Sequence, residues 1–377
     1  MKTIMMVTHS SNLTGGGESD FLVLLKHLRK NNHIVSVYPT GPSSEIIKSF
    51  SDESIEIPDR IFPFTYFNIK DYLLYIYYSI KKALLLIPYL NNVRNKIDIC
   101  FVNSSVCLAE IVILILLRIP YIISIKEMTD PFWVRFIIYK LINKSAKKVI
   151  VVSKTLKLQF IEINKDAKPV VIRSAIDEKL FKSLKLELTE NQTRKTDEFL
   201  IINIASITKN KNQIFLINSI KKCKALRKIK IVFIGSVVDK QYYELLLNTI
   251  KEIEASNIEF VFVGELSKSE IIRYLFVSDC VVITSKREGM PVVLAEALFM
   301  EKPIITTNVG MVQEFIVNGT NGFIIDEGNT DLFASIIDKL ATDDAFLQSF
   351  KYKLNDTYSS GFSCEYYLSK HEECLLN

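Results

Sequence analysis

The feature that most constrains the fold is a rhythm: short apolar runs alternate with longer stretches of helical periodicity, and the series is played twice. In the first series the apolar runs are Thr3 to Thr8, Ile34 to Tyr38, Ile97 to Asn103, Pro120 to Ile125, Val149 to Val152 and Val170 to Ile172. A Gly-rich turn and a predicted helix from Glu18 to Lys30 follow the first run, and Ser153 is placed to cap a helix through Phe160. Alternation at this spacing predicts a parallel sheet with helices on both faces. A charged, strand-poor stretch from Asp177 to Glu198 reads as a connection. The series then restarts with Leu200 to Ala205, Ile229 to Ile234, Ile258 to Val263, Cys280 to Thr284 and Pro303 to Thr306. The expectation is therefore an α/β chain with Rossmann-like domains at 1–176 and 177–350, and a helical segment at 351–377 packing back on the first. Open parallel sheets bind ligands outside the carboxyl ends of their strands, which puts the expected active site in a central cleft that the two sheets face.

Composition excludes whole classes of protein. Of 377 residues, 49% are apolar, enough for two cores, and 24% are charged, which argues against a disordered chain or a fibre. Six scattered cysteines without paired ligand spacing indicate reduced thiols and a cytoplasmic protein, and four histidines without His-x-x-x-His spacing argue against structural zinc. Met1 to Ser10 lacks a signal-peptide core and cleavage site, so it reads as a first strand. The net charge of +5 is unevenly placed: residues 1–176 carry 23 Lys/Arg against 14 Asp/Glu, and the remainder is acidic. A basic first half predicts an anionic partner there, but no nucleic-acid-binding signature accompanies the charge. Residues 72–93 and 111–125 are apolar yet broken by Lys81 and Lys82, and by Arg118 and Pro120, so neither is long enough to span a bilayer. The Tyr- and Leu-rich segment from Tyr72 suits either a membrane-interface helix or a helix covering the sheet.

The chemistry concentrates in residues 285–307. The strand ending at Thr284 leads into a loop holding Glu288, Gly289 and Met290; Pro291 then stands at a first helical position, and a helix runs from Val292 to Met300. Its N-terminal amides and dipole suit a phosphate, and glycine before it lets an anionic ligand approach the backbone. Glu288 and Glu296 frame this point. If helical, their separation would span about 12 Å, against roughly 5 to 9.5 Å for a hydrolytic carboxyl pair. Separate roles fit better, since a carboxylate that accepts two hydroxyl hydrogen bonds holds a vicinal diol well.

Glu288 to Glu296 resembles the E-x7-E signature of glycosyltransferase family 4, the retaining GT-B enzymes of glycosyl transferases group 1 that use nucleotide sugars. Other segments resemble the family in the same order: Thr14-Gly15-Gly16-Gly17-Glu18 after the first strand, Val171 to Asp177 at the crossing into the second domain, and Ala205 to Gln213 as the cation loop. Val263-Gly264-Glu265-Leu266 resembles the nucleotide-base loop, and Val309 to Gly322 the closing motif. The resemblance implies that Glu288 contacts the donor sugar, Glu296 the ribose, and Lys211, aided by Lys209, the diphosphate. It also implies that Gly289, Met290, Pro291 and Val292 present backbone to the donor. Gly15, Gly16, Gly17, Lys126 and Glu127 fall on the acceptor side. Three positions differ from the usual family pattern: Ser206 replaces an arginine, Lys126 a histidine, and Ser174-Ala175 an Asn-Gly pair. The chain has no Asp-x-Asp, so no metal is expected, and no cofactor beyond a UDP- or GDP-sugar donor. The implied acceptor is a glycan or lipid-linked glycan in surface-polysaccharide synthesis, met at the inner face of the cytoplasmic membrane through the first domain. A non-catalytic GT-B accessory subunit is the alternative; a dinucleotide-dependent oxidoreductase is disfavoured because Gly15-Gly16-Gly17 lacks G-x-G-x-x-G spacing.

Overall fold

A computed structural model describes residues 1–10, 16–57, 69–129, 131–191, 198–225, 227–253 and 257–376. The chain divides into two compact units, Met1–Ile176 with Cys364–Asn377, and Asp177–Ser363. The first unit holds strands β1 (Thr3–Val7), β2 (His33–Pro39), β3 (Glu53–Ile57), β4 (Ile99–Val102), β5 (Tyr121–Ile125), β6 (Lys148–Val151) and β7 (Val170–Val171). The second holds β8 (Glu198–Ile204), β9 (Lys228–Ile234), β10 (Ile258–Gly264), β11 (Cys280–Ile283), β12 (Ile304–Thr307) and β13 (Gly322–Ile325).

Both sheets are parallel throughout and share one order. The first runs β3-β2-β1-β4-β5-β6-β7 and the second β10-β9-β8-β11-β12-β13. Such sheets are covered on both faces, which is why β4, β5 and β11 are apolar at nearly every position and, like β12, buried along their length. In each unit the order reverses between the first and fourth strands, β1 and β4 in one and β8 and β11 in the other. Loops leaving the carboxyl ends of those strands diverge there and leave a crevice.

Two strands lie outside the expected set. β3 alternates polar and apolar residues at the sheet's edge, with Ile57 its one buried residue, and β13 is a four-residue strand opened by Gly322. The stretch from Asp177, read as a connection, contains the helix Glu178–Asn191. Asp177 Oδ1 accepts from Leu180 N at 3.2 Å, and Phe181, Leu184 and Leu188 form a buried stripe at helical spacing, so the charges that looked like a linker are the helix's solvent face. The helix Ile69–Val93 is covered at Leu86 and Leu90 but exposes Tyr77, Ile80, Leu84 and Leu85. Among the described residues no helix is long and apolar enough to cross a membrane.

The last helix, Cys364–Leu376, completes the core of the first unit. Tyr367, Cys374 and Leu375 are buried with Phe21, Leu24 and Phe101, and the Tyr367 hydroxyl donates to the Asp20 carbonyl at 3.0 Å. His371 is 1% exposed, its ring 5.5 Å from that of Phe101; burial, with the nearby Lys126 charge, pushes its pKa down to about 3.

Candidate functional site

In the second unit the site begins at the strand-order reversal. The loop after β8 (205–212) and the loop after β11 (284–291) are tied together by Lys286 N donating to Asn210 O at 2.7 Å and Asn210 Nδ2 to Arg287 O at 3.1 Å. Thr284 Oγ1 donates to Lys211 O at 2.8 Å, and Asn212, at φ 51°, turns the chain into the helix Gln213–Ile220. These ties bring two expected site residues together. Lys211 Nζ lies 2.5 Å from Glu288 Oε1, which also accepts from Ser285 Oγ at 2.6 Å. The side chains are 27% and 14% exposed, so the pair is half-sheltered yet reachable from solvent. Gly310, at φ 55°, packs beneath this loop: a Cβ there would lie 2.6 Å from Glu288 O and 2.9 Å from Gly289 O.

The helix after the loop runs Val292–Phe299. Pro291 is not its first residue but its cap, with extended backbone (φ −71°, ψ 110°), so the amides that follow open the helix. Gly289, Met290 and Val292 are buried around this helix start. Glu296, one turn in, is 2% exposed, and its carboxylate is compensated by Lys268 Nζ at 2.6 Å from Oε1. The two glutamates thus each hold a lysine of their own. Gly264 ends β10 at φ 75°, where a Cβ meets nothing within 4 Å, and is followed by exposed Glu265 and half-buried Leu266. Ser206 presents its carbonyl to Gln213 Nε2 at 3.0 Å, and Lys209 is exposed. Sequence reading missed Lys268: it lies in no motif, and only the fold closes the 28 residues between it and Glu296.

In the first unit, Lys126 and Glu127 follow β5 near the corresponding reversal. Lys126 Nζ is 2.5 Å from Asp20 Oδ1, with side chains 8% and 1% exposed, so its charge is matched inside the unit. Glu127 Oε1 accepts from Ser104 Oγ at 2.8 Å and Oε2 from Ser105 Oγ at 3.4 Å, which joins the ends of β4 and β5 in one polar cluster. Gly16 and Gly17 open the helix Gly16–Leu28 rather than a left-handed turn, and Gly15 lies outside the described residues. Among the described residues no three His, Cys, Asp or Glu side chains gather as a metal site.

Residues 185–355 match the family model described as glycosyl transferases group 1. The chain is 29% identical over 154 residues to the putative glycosyltransferase EpsD of Bacillus subtilis (strain 168), covering 41% of this chain and 39% of that one. It is 26% identical over 252 residues to the capsular polysaccharide biosynthesis glycosyltransferase CapM of Staphylococcus aureus, covering 62% of each. The chain thus spans between 39% and 62% of the length of these curated relatives. The crystal structure of Anabaena Alr3699/HepE in complex with UDP and glucose superposes with a TM-score of 0.80 at 17% identity, over 99% of both chains. The expected plan, GT-B with two Rossmann-like parallel-sheet units, is the fold this chain adopts.

Proposed function

We propose that this chain, whose second unit matches glycosyl transferases group 1 over residues 185–355, is a family 4 glycosyltransferase. It transfers a sugar from a nucleotide diphosphate sugar to a glycan or lipid-linked glycan, with retention, in surface-polysaccharide synthesis. The observation that carries the reading is the Lys211–Glu288 pair at the carboxyl ends of β8 and β11. In a nucleotide sugar the anomeric carbon is one oxygen from the β-phosphate. A carboxylate that holds the sugar's hydroxyls and an ammonium that holds the diphosphate must therefore be neighbours, and 2.5 Å satisfies this.

The geometry supports the roles that the resemblance implies. Glu288, braced by Ser285, orients the sugar; Glu296 takes ribose hydroxyls; Lys211 and the amides opening the helix at Val292 stabilise charge on the departing diphosphate. The bond from the anomeric carbon to the β-phosphate oxygen breaks with its electrons leaving on the nucleotide diphosphate, and an acceptor hydroxyl attacks from the same face, its proton passing to the departing phosphate oxygen. A lysine is a point charge without an arginine's bidentate fork, so with serine at position 206 the helix amides carry more of this stabilisation. The polar cluster of Ser104, Ser105 and Glu127 is the proposed acceptor side, with Lys126 bound to Asp20 behind it.

Membrane contact through the first unit is part of the proposal. Phe132, Trp133, Phe136 and Ile137 are exposed on the helix Phe132–Ser145, which also carries Arg135, Lys140 and Lys144. With exposed Tyr77, Ile80 and Leu84 this is the mixture that favours an anionic bilayer surface. Flotation with anionic vesicles at low salt tests it, and failure to associate removes this part of the reading.

The test of function is a thermal-shift screen with UDP-, GDP- and ADP-sugars followed by rate measurements, because a ligand of the folded state raises its melting temperature. Lys211→Ala should lower kcat about a hundredfold or more, the scale of one preorganised donor. A folded Lys211→Ala protein with undiminished kcat refutes the assignment.

A further inference from the structure

We propose that Lys268 is a positioning residue for nucleotide recognition: it fixes the Glu296 carboxylate in the orientation that receives the ribose hydroxyls. This rests on the reading of Glu296 as the ribose contact. Lys268 is the first residue of the helix Lys268–Val277. A cation there opposes the helix dipole, so local helix energetics do not favour it. What favours it is across the unit: Nζ lies 2.6 Å from Glu296 Oε1, and the glutamate side chain is only 3% exposed. A carboxylate taken that far from water needs compensation, and the lysine supplies it with a charge-assisted hydrogen bond.

The lysine is itself held in place. Ser267 and Glu270 form a reciprocal capping box, with Ser267 N donating to Glu270 Oε2 at 2.8 Å and Glu270 N to Ser267 Oγ at 3.3 Å. Ile272 and Leu275 anchor the same helix in the core at 0% exposure. Lys268 therefore approaches from a rigid helix start and occupies Oε1 alone, which orients the carboxylate with Oε2 as the acceptor for a ligand. Glu265 and Leu266, expected at the nucleotide base, lie just before this helix. The start of one short element thereby supplies both the base loop and the brace for the ribose carboxylate.

The test compares binding of UDP with 2′,3′-dideoxy-UDP, and of GDP with 2′,3′-dideoxy-GDP, by calorimetry on the full chain. Wild type should prefer the ribonucleotide by about tenfold or more, the scale of a hydrogen bond to a charged group. K268M should lose most of that preference by weakening ribonucleotide binding alone, and K268R should restore it. Because K268M leaves a buried carboxylate unpaired, K268M/E296Q is measured beside E296Q; adding K268M in that background should change binding less than about twofold if the lysine acts through the glutamate. Equal weakening of ribo- and dideoxynucleotides in K268M, or a further loss in the E296Q background, overturns the role of Lys268. No ribose preference in wild type overturns the reading of Glu296 beneath it.

Discussion

Glu288→Gln separates binding from turnover most cleanly. The substitution keeps the side chain's shape and removes its charge, so Lys211 loses its anionic partner at 2.5 Å. In the unliganded protein that partner competes with any diphosphate for the lysine. A hydrogen bond to a charged group contributes about 1.5 to 3 kcal/mol when sheltered. With the two side chains 27% and 14% exposed, solvent screening brings this to the bottom of that range or just below it, about 1 to 1.5 kcal/mol, or roughly tenfold in affinity. Nucleoside diphosphate should therefore bind Glu288→Gln as tightly as wild type, or up to about tenfold more tightly. Turnover should move the other way. A neutral amide accepts sugar hydroxyls less strongly and no longer balances charge beside the anomeric carbon, so kcat should fall about a hundredfold or more. Calorimetry with the nucleoside diphosphate and initial rates with the nucleotide sugar read the two quantities. Equal losses of affinity and kcat would place Glu288 in nucleotide binding, and an unchanged kcat would remove it from the mechanism.

Further expectations concern stability. His371 is neutral in the folded protein because burial holds its pKa at about 3, whereas an unfolded histidine titrates near 6.5. The unfolded state therefore takes up a proton that the folded state refuses, and its contribution lowers stability by about 1.4 kcal/mol per pH unit as pH falls from roughly 6 toward 3. Urea melts of wild type and His371→Leu at pH 7 and pH 5 should show a smaller acid loss in the variant; identical losses would contradict the burial argument. Gly310→Ala forces a Cβ against the Glu288 and Gly289 carbonyls at positive φ, so it should cost about 1 kcal/mol or more and lower kcat by shifting Glu288. Wild-type melting and kinetics in that variant would show that the loop yields. Leu375→Ala, at a site 1% exposed in the first unit, should cost about 2 to 5 kcal/mol in chemical denaturation, and a neutral result would mean the last helix does not hold the core.

Much of this structure was legible in the chain because parallel strands buried on both faces read as unbroken apolar runs. β4, β5, β8, β9, β11 and β12 all stand within a few residues of such runs. β3 was not legible because an edge strand with one buried residue leaves little apolar signal, and β13 because four residues opening on a glycine look like a turn. The helix Glu178–Asn191 hid behind the charge of its outer face. At the site, Glu288 and Glu296 were visible from their spacing around a helix start, and Lys211 from its loop. The lysine on Glu296 was not, since a contact between the start of one helix and the middle of another has no local pattern. Nor did sequence show that Lys126 would find Asp20, 106 residues away, as its counter-charge.

The assignment of Cys364–Asn377 to the first unit bears on how the chain is made. The unit begun first at the ribosome is the one finished last, because its closing helix is synthesised only after all of 177–363. At roughly 5 to 20 residues per second, making 177–363 alone takes on the order of ten to forty seconds, and Phe21, Leu24 and Phe101 wait at least that long for Tyr367 and Leu375 to cover them. During that interval the second unit, continuous in the chain, is free to fold ahead of its elder neighbour. A chain truncated after residue 363 would therefore offer chaperones an open apolar seam on its first unit beside a complete second unit.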